Sequence, residues 1–221
     1  ALMAVSMAVM RVLEKDGGVV LADKASFVAG HSLGEYSALA AAGSLTLADA
    51  ARVLKRRGQA MQRAVPVGEG AMAAVLGLDL EVARDVAEEA AQGDVCTAAN
   101  DNAPGQVVLS GARAAIERAV DIAKEKGAKR SMLLPVSAPF HCALMAPAAQ
   151  KLALELARVR FAAPVVPVVT NVEAARCEDP QRFAALLEEQ VTAPVRFTEM
   201  RSEERRVGKE CCGGWGGGGG G

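Results

Sequence analysis

The apolar residues of this chain recur at two alternating spacings, one typical of helices and one typical of strands. Helical spacing predicts helices over residues 1–16, 32–42, 46–64, 80–92, 112–126, 144–159 and 179–190. Short apolar runs predict strands over residues 26–30, 71–78, 95–99, 106–110, 129–136 and 165–170. Helices that alternate with strands in this way predict an α/β fold.

The order of these predicted elements divides the chain into a core and an insertion. From residue 71 the order is β-α-β-β-α-β, which is the order of a ferredoxin-like unit. The segments before and after it return to a longer α/β pattern. We therefore predict an α/β subdomain built from residues 1–66 and 136–200, interrupted by a small ferredoxin-like subdomain over residues 67–135.

The two ends of the chain depart from the pattern of the rest. Ala1 lies inside a predicted helix, so we expect the natural chain to begin earlier. From Arg201 the apolar periodicity stops: residues 201–211 resemble the translation of a sequencing adapter, and a glycine-rich run follows them. We predict that residues 201–221 are a non-native or disordered tail.

Composition narrows the function classes and the cell compartment. Hydrophobic residues make up 51% of the 221 positions but aromatic residues only 3%, which favours helices packed on a sheet over a β-sandwich. The net charge of −1 gives no general attraction to nucleic acid, and no apolar run at the start is long enough to span a membrane. The five cysteines lack metal-ligand spacing and the density of a secreted scaffold, so we expect a cytoplasmic protein without a metal or cofactor.

The motif Gly30-His31-Ser32-Leu33-Gly34 carries the clearest chemistry. It follows a short predicted strand and precedes a predicted helix, which is the pattern of a nucleophile elbow. We expect both glycines to relieve the crowding of that turn and the helix N-terminus to receive developing negative charge. This context favours a catalytic Ser32 over a chance match and predicts an α/β-hydrolase-like parallel-sheet core.

A serine hydroxyl needs a base, and the chain has two histidines. His31 adjoins Ser32, so we expect it to pack and hydrogen-bond within the elbow. His141 lies in a loop after a strand, where α/β folds place active sites, and is the predicted base. The group that orients its imidazole stays open: Glu173 and Asp179 are weak candidates for the acid of a triad, and a backbone or amide carbonyl is the alternative.

Arg57 is the third candidate residue. It belongs to a basic cluster at residues 55–57, and such a cluster is most often a solvated helix face. An arginine that faced Ser32 would instead bind a carboxylate through two charge-assisted hydrogen bonds. In that position Arg57 would select acyl groups with a terminal carboxylate.

Five motifs together resemble one protein family. They are Gly30–Tyr36, Arg57–Gln62, Gly70–Ala74, Asn102–Val108 and Pro139–Met145. In this order and spacing they resemble the malonyl-CoA:acyl-carrier-protein transacylases of bacterial type II fatty acid synthesis. The resemblance runs from about residue 1 to residue 200. It implies transfer of a malonyl group from coenzyme A to the phosphopantetheine thiol of acyl carrier protein, through a malonyl-serine ester.

The resemblance also implies roles for the matching residues. Ser32 is the expected nucleophile, His141 the base, and Arg57 the partner of the malonyl carboxylate. The N–H of Leu33 is the expected oxyanion donor. The main-chain carbonyl of Gln190 is expected to hold the imidazole.

Further positions match the family less directly. Phe140 fits selectivity for malonyl over methylmalonyl groups, and Asn102 and His31 are expected to support the site. Lys129 and Arg130 resemble basic residues near the entrance for coenzyme A and the carrier protein, with a solvated strand end as the alternative.

Three other functions stay open: an acyltransferase domain of a polyketide synthase, a serine esterase, and a module that only binds a carrier protein. The family begins with a Gly-Gln-Gly-Ser-Gln loop whose glutamine provides a second oxyanion N–H. This sequence lacks that loop, so we expect the chain as given to be impaired.

Overall fold

A computed structural model describes residues 1–202, in which helices pack on two β-sheets. The helices are α1 (Leu2–Lys15), α2 (Leu21–Lys24), α3 (Leu33–Ala41), α4 (Leu47–Ala64), α5 (Leu80–Ala91), α6 (Arg113–Glu125), α7 (Ala146–Leu156) and α8 (Phe183–Glu189). The strands are β1 (Val28–Ala29), β2 (Gly70–Leu76), β3 (Cys96–Ala103), β4 (Gln106–Ala112), β5 (Arg130–Leu133), β6 (Val168–Val169), β7 (Arg176–Cys177) and β8 (Val195–Arg196). A short 3₁₀ helix, Ala143–Met145, precedes α7. The predicted mixed α/β fold is confirmed.

The start of α4 follows its predicted capping signal. Thr46 Oγ1 accepts the N–H of Asp49 at 3.0 Å, which satisfies one of the free donors of the first turn. Helix α4 then buries one face, formed by residues that recur every three or four positions: Ala50, Val53, Arg57, Ala60 and Met61. The polar Arg57 therefore lies on the buried face of this helix.

The first sheet has the order β1-β6-β7. Strands β1 and β6 are parallel, with Val28 opposite Val168. Strands β6 and β7 are antiparallel, because a tight turn joins them: the N–H of Thr170 donates to the Ala175 carbonyl at 3.0 Å. The first sheet thus contains one parallel pair, as a parallel-sheet core requires, and one antiparallel strand at its edge.

The second sheet has the order β5-β2-β4-β3-β8. Its first four strands are antiparallel neighbours, while β8 pairs in parallel with β3. Strand β8 comes from the last part of the chain, so this sheet is not built from residues 67–135 alone.

Most of the buried apolar residues in the described part of the chain form two cores. The larger is formed by α3, α4, α7 and α8 around residues such as Tyr36, Leu39, Val53, Leu152 and Phe183. The second lies between α5, α6 and the second sheet, around Val75, Val86, Leu109 and Ile116. Phe140 packs against the larger core and against a small cluster on the other face of the second sheet. The loop that carries Phe140 is therefore held between the larger core and the second sheet.

Within residues 1–202, no helix combines the length and the apolar character needed to cross a bilayer. Residues 197–202 are helical, so Arg201 and Ser202 continue the folded chain. The rest of the predicted tail, residues 203–221, lies outside the described residues.

Candidate active site

Ser32 lies at the turn between β1 and α3 in a backbone conformation that side chains rarely adopt. Its φ is +50° and its ψ is −105°. A Cβ on Gly30 would lie 2.1 Å from the carbonyl carbon and oxygen of Gly34, so only glycine fits at Gly30. A Cβ on Gly34 would meet nothing within 4 Å. The expectation that both glycines relieve crowding is corrected: Gly30 does, and Gly34 does not.

The imidazole of His141 reaches Ser32 from a position 109 residues further along the chain. Its Nε2 lies 2.8 Å from Ser32 Oγ. Its Nδ1 lies 2.8 Å from the main-chain oxygen of Gln190, which can only accept. Nδ1 therefore carries the proton, and Nε2 is free to accept the proton of the Ser32 hydroxyl.

The surroundings of His141 keep the imidazole neutral. His141 is 4% exposed, and burial is the main cause that lowers its pKa to about 4 from an ordinary value of 6.5. The positive charge of Arg57 lowers this pKa further. At neutral pH the ring is thus in the form that a general base needs.

The two acidic candidates have other partners. Glu173 pairs with Arg182, and Asp179 Oδ1 accepts the N–H of Gln181 at 2.9 Å. Neither carboxylate orients the imidazole, so both candidates are corrected. The group in that position is the Gln190 carbonyl, which fixes the tautomer of His141 without adding a full charge.

Arg57 is buried beside Ser32, so the alternative of a solvated helix face is wrong. The side chain is 7% exposed, and Nη2 donates to Ser32 Oγ at 3.0 Å and to Gln190 Oε1 at 3.1 Å. The guanidinium carbon lies 5.7 Å from the centre of the Tyr36 ring. Within residues 1–202, its Nε is buried without a hydrogen-bond partner. Because Ser32, Gln190 and the Tyr36 ring are neutral partners for this cation, the site is suited to an anionic ligand.

A cavity of about 210 Å³ opens beside the hydroxyl of Ser32. Its lining combines the reactive pair with apolar and polar side chains: Ser32, Arg57, Gly58, Met61, Gln62, Phe140 and His141. The space is small, so it suits a short acyl group better than a long chain.

The N–H of Leu33 opens helix α3 next to Ser32. Among residues 1–202 it has no acceptor, as is usual for the first N–H groups of a helix. It is therefore available to a carbonyl oxygen bound at Ser32, where the helix N-terminus favours negative charge. The described part of the chain holds no cluster of three or more His, Cys, Asp or Glu that could bind a metal ion.

His31 and Asn102 connect the elbow to the second sheet. His31 Nε2 lies 2.9 Å from Asn102 Oδ1, on β3, and the ring stands edge-on to Phe197 at 5.3 Å between centres. Burial lowers the pKa of His31. His31 is thus paired across the two sheets rather than with the hydroxyl of Ser32.

A buried hydrogen-bond network holds the backbone of the turn at Ser32. Asn171 Oδ1 accepts the N–H of Ser32 at 2.6 Å, and Asn171 Nδ2 donates to the Gly30 carbonyl at 2.7 Å. Glu35 Oε2 accepts the N–H of Asn171 at 3.0 Å and Gln190 Nε2 at 2.7 Å. Burial raises the pKa of Glu35 to about 7, although these hydrogen bonds and the charge of Arg57 act in the opposite direction.

Comparison with known proteins agrees with this geometry. Residues 1–211 match the family model of the acyl transferase domain. This chain belongs to the acyl transferase domain family. The chain is 50% identical to the malonyl CoA-acyl carrier protein transacylase of Escherichia coli (strain K12) over 200 residues, which are 90% of this chain and 63% of that protein.

Solved structures of similar proteins share the fold of this acyl transferase domain. The acyl-carrier-protein-S-malonyltransferase from Bartonella henselae matches with a TM-score of 0.90 and 52% identity. The match covers 94% of this chain and 66% of the Bartonella chain. A type II PKS acyl-carrier protein in complex with its malonyl-transacylase gives a TM-score of 0.90 at 45% identity, with coverage of 94% and 66%. The chain thus spans less than two thirds of the length of these relatives.

Sequence reasoning missed two residues of this acyl transferase domain, Glu35 and Asn171. Glu35 is the only Asp, Glu, Lys or Arg between Lys24 and Asp49, and that isolation was a readable signal. Asn171 lies two residues after the buried strand β6, which is where polar groups collect at sheet ends. The side-chain contacts of Gln190 with Glu35 and Arg57 had no sequence signal.

Proposed function

We propose that this acyl transferase domain moves a malonyl group from coenzyme A to the phosphopantetheine thiol of an acyl carrier protein, through a malonyl ester on Ser32. The observation that carries the proposal is the convergence of two groups on Ser32 Oγ: His141 Nε2 at 2.8 Å and Arg57 Nη2 at 3.0 Å. A base and a buried cation at one hydroxyl match an acyl donor that carries a free carboxylate. The similar proteins from Escherichia coli and Bartonella henselae, which are named as malonyl transferases, support the same acyl group.

In the first half-reaction, Ser32 Oγ attacks the thioester carbonyl carbon while His141 Nε2 takes its proton. The Leu33 N–H stabilises the oxyanion, and Arg57 binds the malonyl carboxylate through its guanidinium fork. The carbon–sulfur bond then breaks, and the thiolate of coenzyme A receives the proton from His141. The malonyl group remains as an ester on Ser32.

The second half-reaction runs through the same groups in reverse order. The phosphopantetheine thiol gives its proton to His141 and attacks the ester carbonyl. The bond from carbon to Ser32 Oγ breaks, and the hydroxyl regains the proton from the imidazole. Phe140 narrows the cavity against larger acyl groups, while Gln190, Asn102 and His31 keep the reacting residues in place.

The proposed carrier belongs to type II fatty acid synthesis. A polyketide carrier is the second candidate, because one similar structure is a complex of a malonyl-transacylase with a type II PKS acyl-carrier protein. We propose that Lys129 and Arg130, which are exposed at the start of β5, lie near the entrance for coenzyme A and the carrier. Cytoplasmic location stays a prediction from the cysteine content.

The proposal includes the finer architecture. Residues 67–135 form a ferredoxin-like subdomain, which the strand order β5-β2-β4-β3 and its separate apolar core support. Residues 1–66 and 136–200 form an α/β-hydrolase-like core, which the strand–elbow–helix arrangement at Ser32 supports.

Brief exposure of the chain to malonyl-CoA, followed by peptide mass spectrometry, tests the proposal. We expect one malonyl group on the peptide that contains Ser32 and none in the Ser32→Ala variant. Acetyl-CoA should load far less. Equal loading from both thioesters would favour an esterase-like site without a carboxylate partner.

A further inference from the structure

We propose that Glu35 is a positioning residue that aligns the nucleophile elbow with the residue that holds the base. The inference goes beyond the proposed function and rests on it only for the role of Ser32 as nucleophile. Among residues 1–202, the side chain of Glu35 hydrogen-bonds to neither Ser32 Oγ nor the imidazole. It acts through Asn171 and Gln190.

One oxygen of Glu35 joins two segments that are far apart in sequence. Oε2 accepts the N–H of Asn171, 136 residues away, at 3.0 Å, and Gln190 Nε2, 155 residues away, at 2.7 Å. Asn171 in turn binds the N–H of Ser32, and Gln190 Nε2 also donates to the Ser32 carbonyl at 3.2 Å. The strained turn at Ser32 is therefore held on both sides by groups that Glu35 fixes.

His141 and Arg57 both depend on Gln190, which Glu35 anchors. The main chain of Gln190 binds His141 Nδ1, and its side-chain Oε1 accepts from Arg57. A shift of Gln190 would move both groups relative to the hydroxyl. Misplacement by about 1 Å can slow a reaction by about 10²-fold, so an anchor outside the cavity can control the rate.

The carboxyl of Glu35 has an unusual environment for a purely structural group. It is 1% exposed, and Oε1 has no hydrogen-bond partner among residues 1–202. An apolar side chain would avoid that unpaired atom, but it would leave the N–H of Asn171 and Nε2 of Gln190 without their acceptor. What the carboxyl provides is an acceptor at one place for two donors.

Two conservative variants of Glu35 separate the effect of side-chain length from the effect of the ionisable group. In Glu35→Gln the amide oxygen can occupy the place of Oε2 and accept both donors, although its NH₂ group then lies unpaired at the place of Oε1. In Glu35→Asp the ionisable carboxyl remains, but the side chain is one methylene shorter and cannot reach both donors. Glu35→Met fills the space without an acceptor. Thr170→Val is the matched control, because Thr170 is fully buried beside Asn171 and its Oγ1 has no partner in the described chain.

The readout is the rate at which a fluorophosphonate labels Ser32 in the full chain, measured by mass spectrometry together with the melting temperature. We expect Glu35→Gln and Thr170→Val to label within about threefold of the unsubstituted chain, and Glu35→Asp and Glu35→Met to label at least about 10-fold more slowly. A merely structural role predicts that the labelling rate follows the melting temperature instead.

Labelling rates for Glu35→Asp and Glu35→Met equal to that of the unsubstituted chain would overturn the inference, as would a Glu35→Gln rate as low as theirs. Either Asp or Met suffices if the other variant does not fold. Fluorophosphonate needs no malonyl group, so a chain that is labelled but takes no malonyl from malonyl-CoA contradicts the proposed function alone. A chain whose Ser32 is not labelled at all overturns both.

Discussion

Arg57 Nη2 lies 3.0 Å from Ser32 Oγ, so the cation of this site touches the same atom as the base. The hydroxyl can accept from Arg57 while it donates to His141. This contact places the guanidinium within reach of the free end of a short acyl group bound at the Ser32 oxygen. A bound acyl group with a terminal carboxylate can therefore replace Ser32 Oγ and Gln190 Oε1 as the acceptor for Arg57.

Replacing Arg57 should change which acyl group is loaded. Two charge-assisted hydrogen bonds contribute about 1.5–3 kcal/mol each, so Arg57→Ala is expected to slow malonyl loading of Ser32 by at least about 10²-fold. Acetyl loading should change little or increase. Mass spectrometry after exposure to each thioester measures both rates. Arg56→Ala is the matched control, because Arg56 lies on the same helix with 59% of its side chain exposed.

The pH profile of serine labelling should reflect the low pKa of His141. Only the neutral imidazole can accept the proton, and burial holds its pKa at about 4. We expect a labelling rate that stays level as the pH falls from 7 to about 5 and decreases through about 4. Arg57→Ala should move the midpoint upward, because the charge of Arg57 is the second cause of the low value. A midpoint near 6.5 in the unsubstituted chain would show a solvated histidine instead.

The two glycines of the elbow should respond differently to alanine. Gly30→Ala places a Cβ 2.1 Å from backbone atoms of Gly34, so it should lower the free energy of unfolding by about 2 kcal/mol or more and abolish labelling of Ser32. Gly34→Ala has space and lies inside α3, where alanine is the better helix former, so stability should hold or rise by up to about 1 kcal/mol. Urea unfolding of both variants measures the difference. Equal losses in the free energy of unfolding would contradict the close approach of Gly30 to the backbone of Gly34.

Stability should vary with pH in a way that Glu35 controls. Its folded pKa is about 7 and its ordinary value 4.5, so the folded chain keeps a proton that the unfolded chain releases. This contribution is fully present below about pH 4.5 and is lost as the pH rises through about 7. Glu35→Gln carries no such proton. Urea unfolding of both chains should therefore show the stability of the unsubstituted chain falling relative to the variant between pH 5 and 8, and a constant difference would contradict the raised pKa.

Local signals in the sequence were sufficient for most of the longer helices and strands and for the contact between Ser32 and His141. The Thr46 cap and the apolar spacing of the following residues predicted α4 correctly, because both act within one turn or one helix face. Ser32 and His141 could be paired because few alternatives existed in a chain with two histidines. Strand β6 was predicted longer than it is, since Pro167 has no N–H to extend the ladder.

Contacts that depend on tertiary structure could not be predicted. The antiparallel pairing of β7 and the addition of β8 beside β3 come from strands of two residues, which are too short to leave a periodic pattern. The choice between Glu173, Asp179 and a carbonyl stayed open in the sequence, because local spacing does not show that the two carboxylates bind Arg182 and the N–H of Gln181 instead. Glu35 and Asn171 meet across 136 residues, and no spacing rule connects them.

The transfer step tests the central claim most directly. Chain loaded with radiolabelled malonyl at Ser32 is separated from free malonyl-CoA and mixed with a holo acyl carrier protein or with the apo form, which lacks phosphopantetheine. We predict that the label leaves Ser32 and appears as a malonyl thioester on the holo carrier, with little change in the apo sample. Release of the label as free malonate at the same rate in both samples would contradict the account and identify a hydrolase.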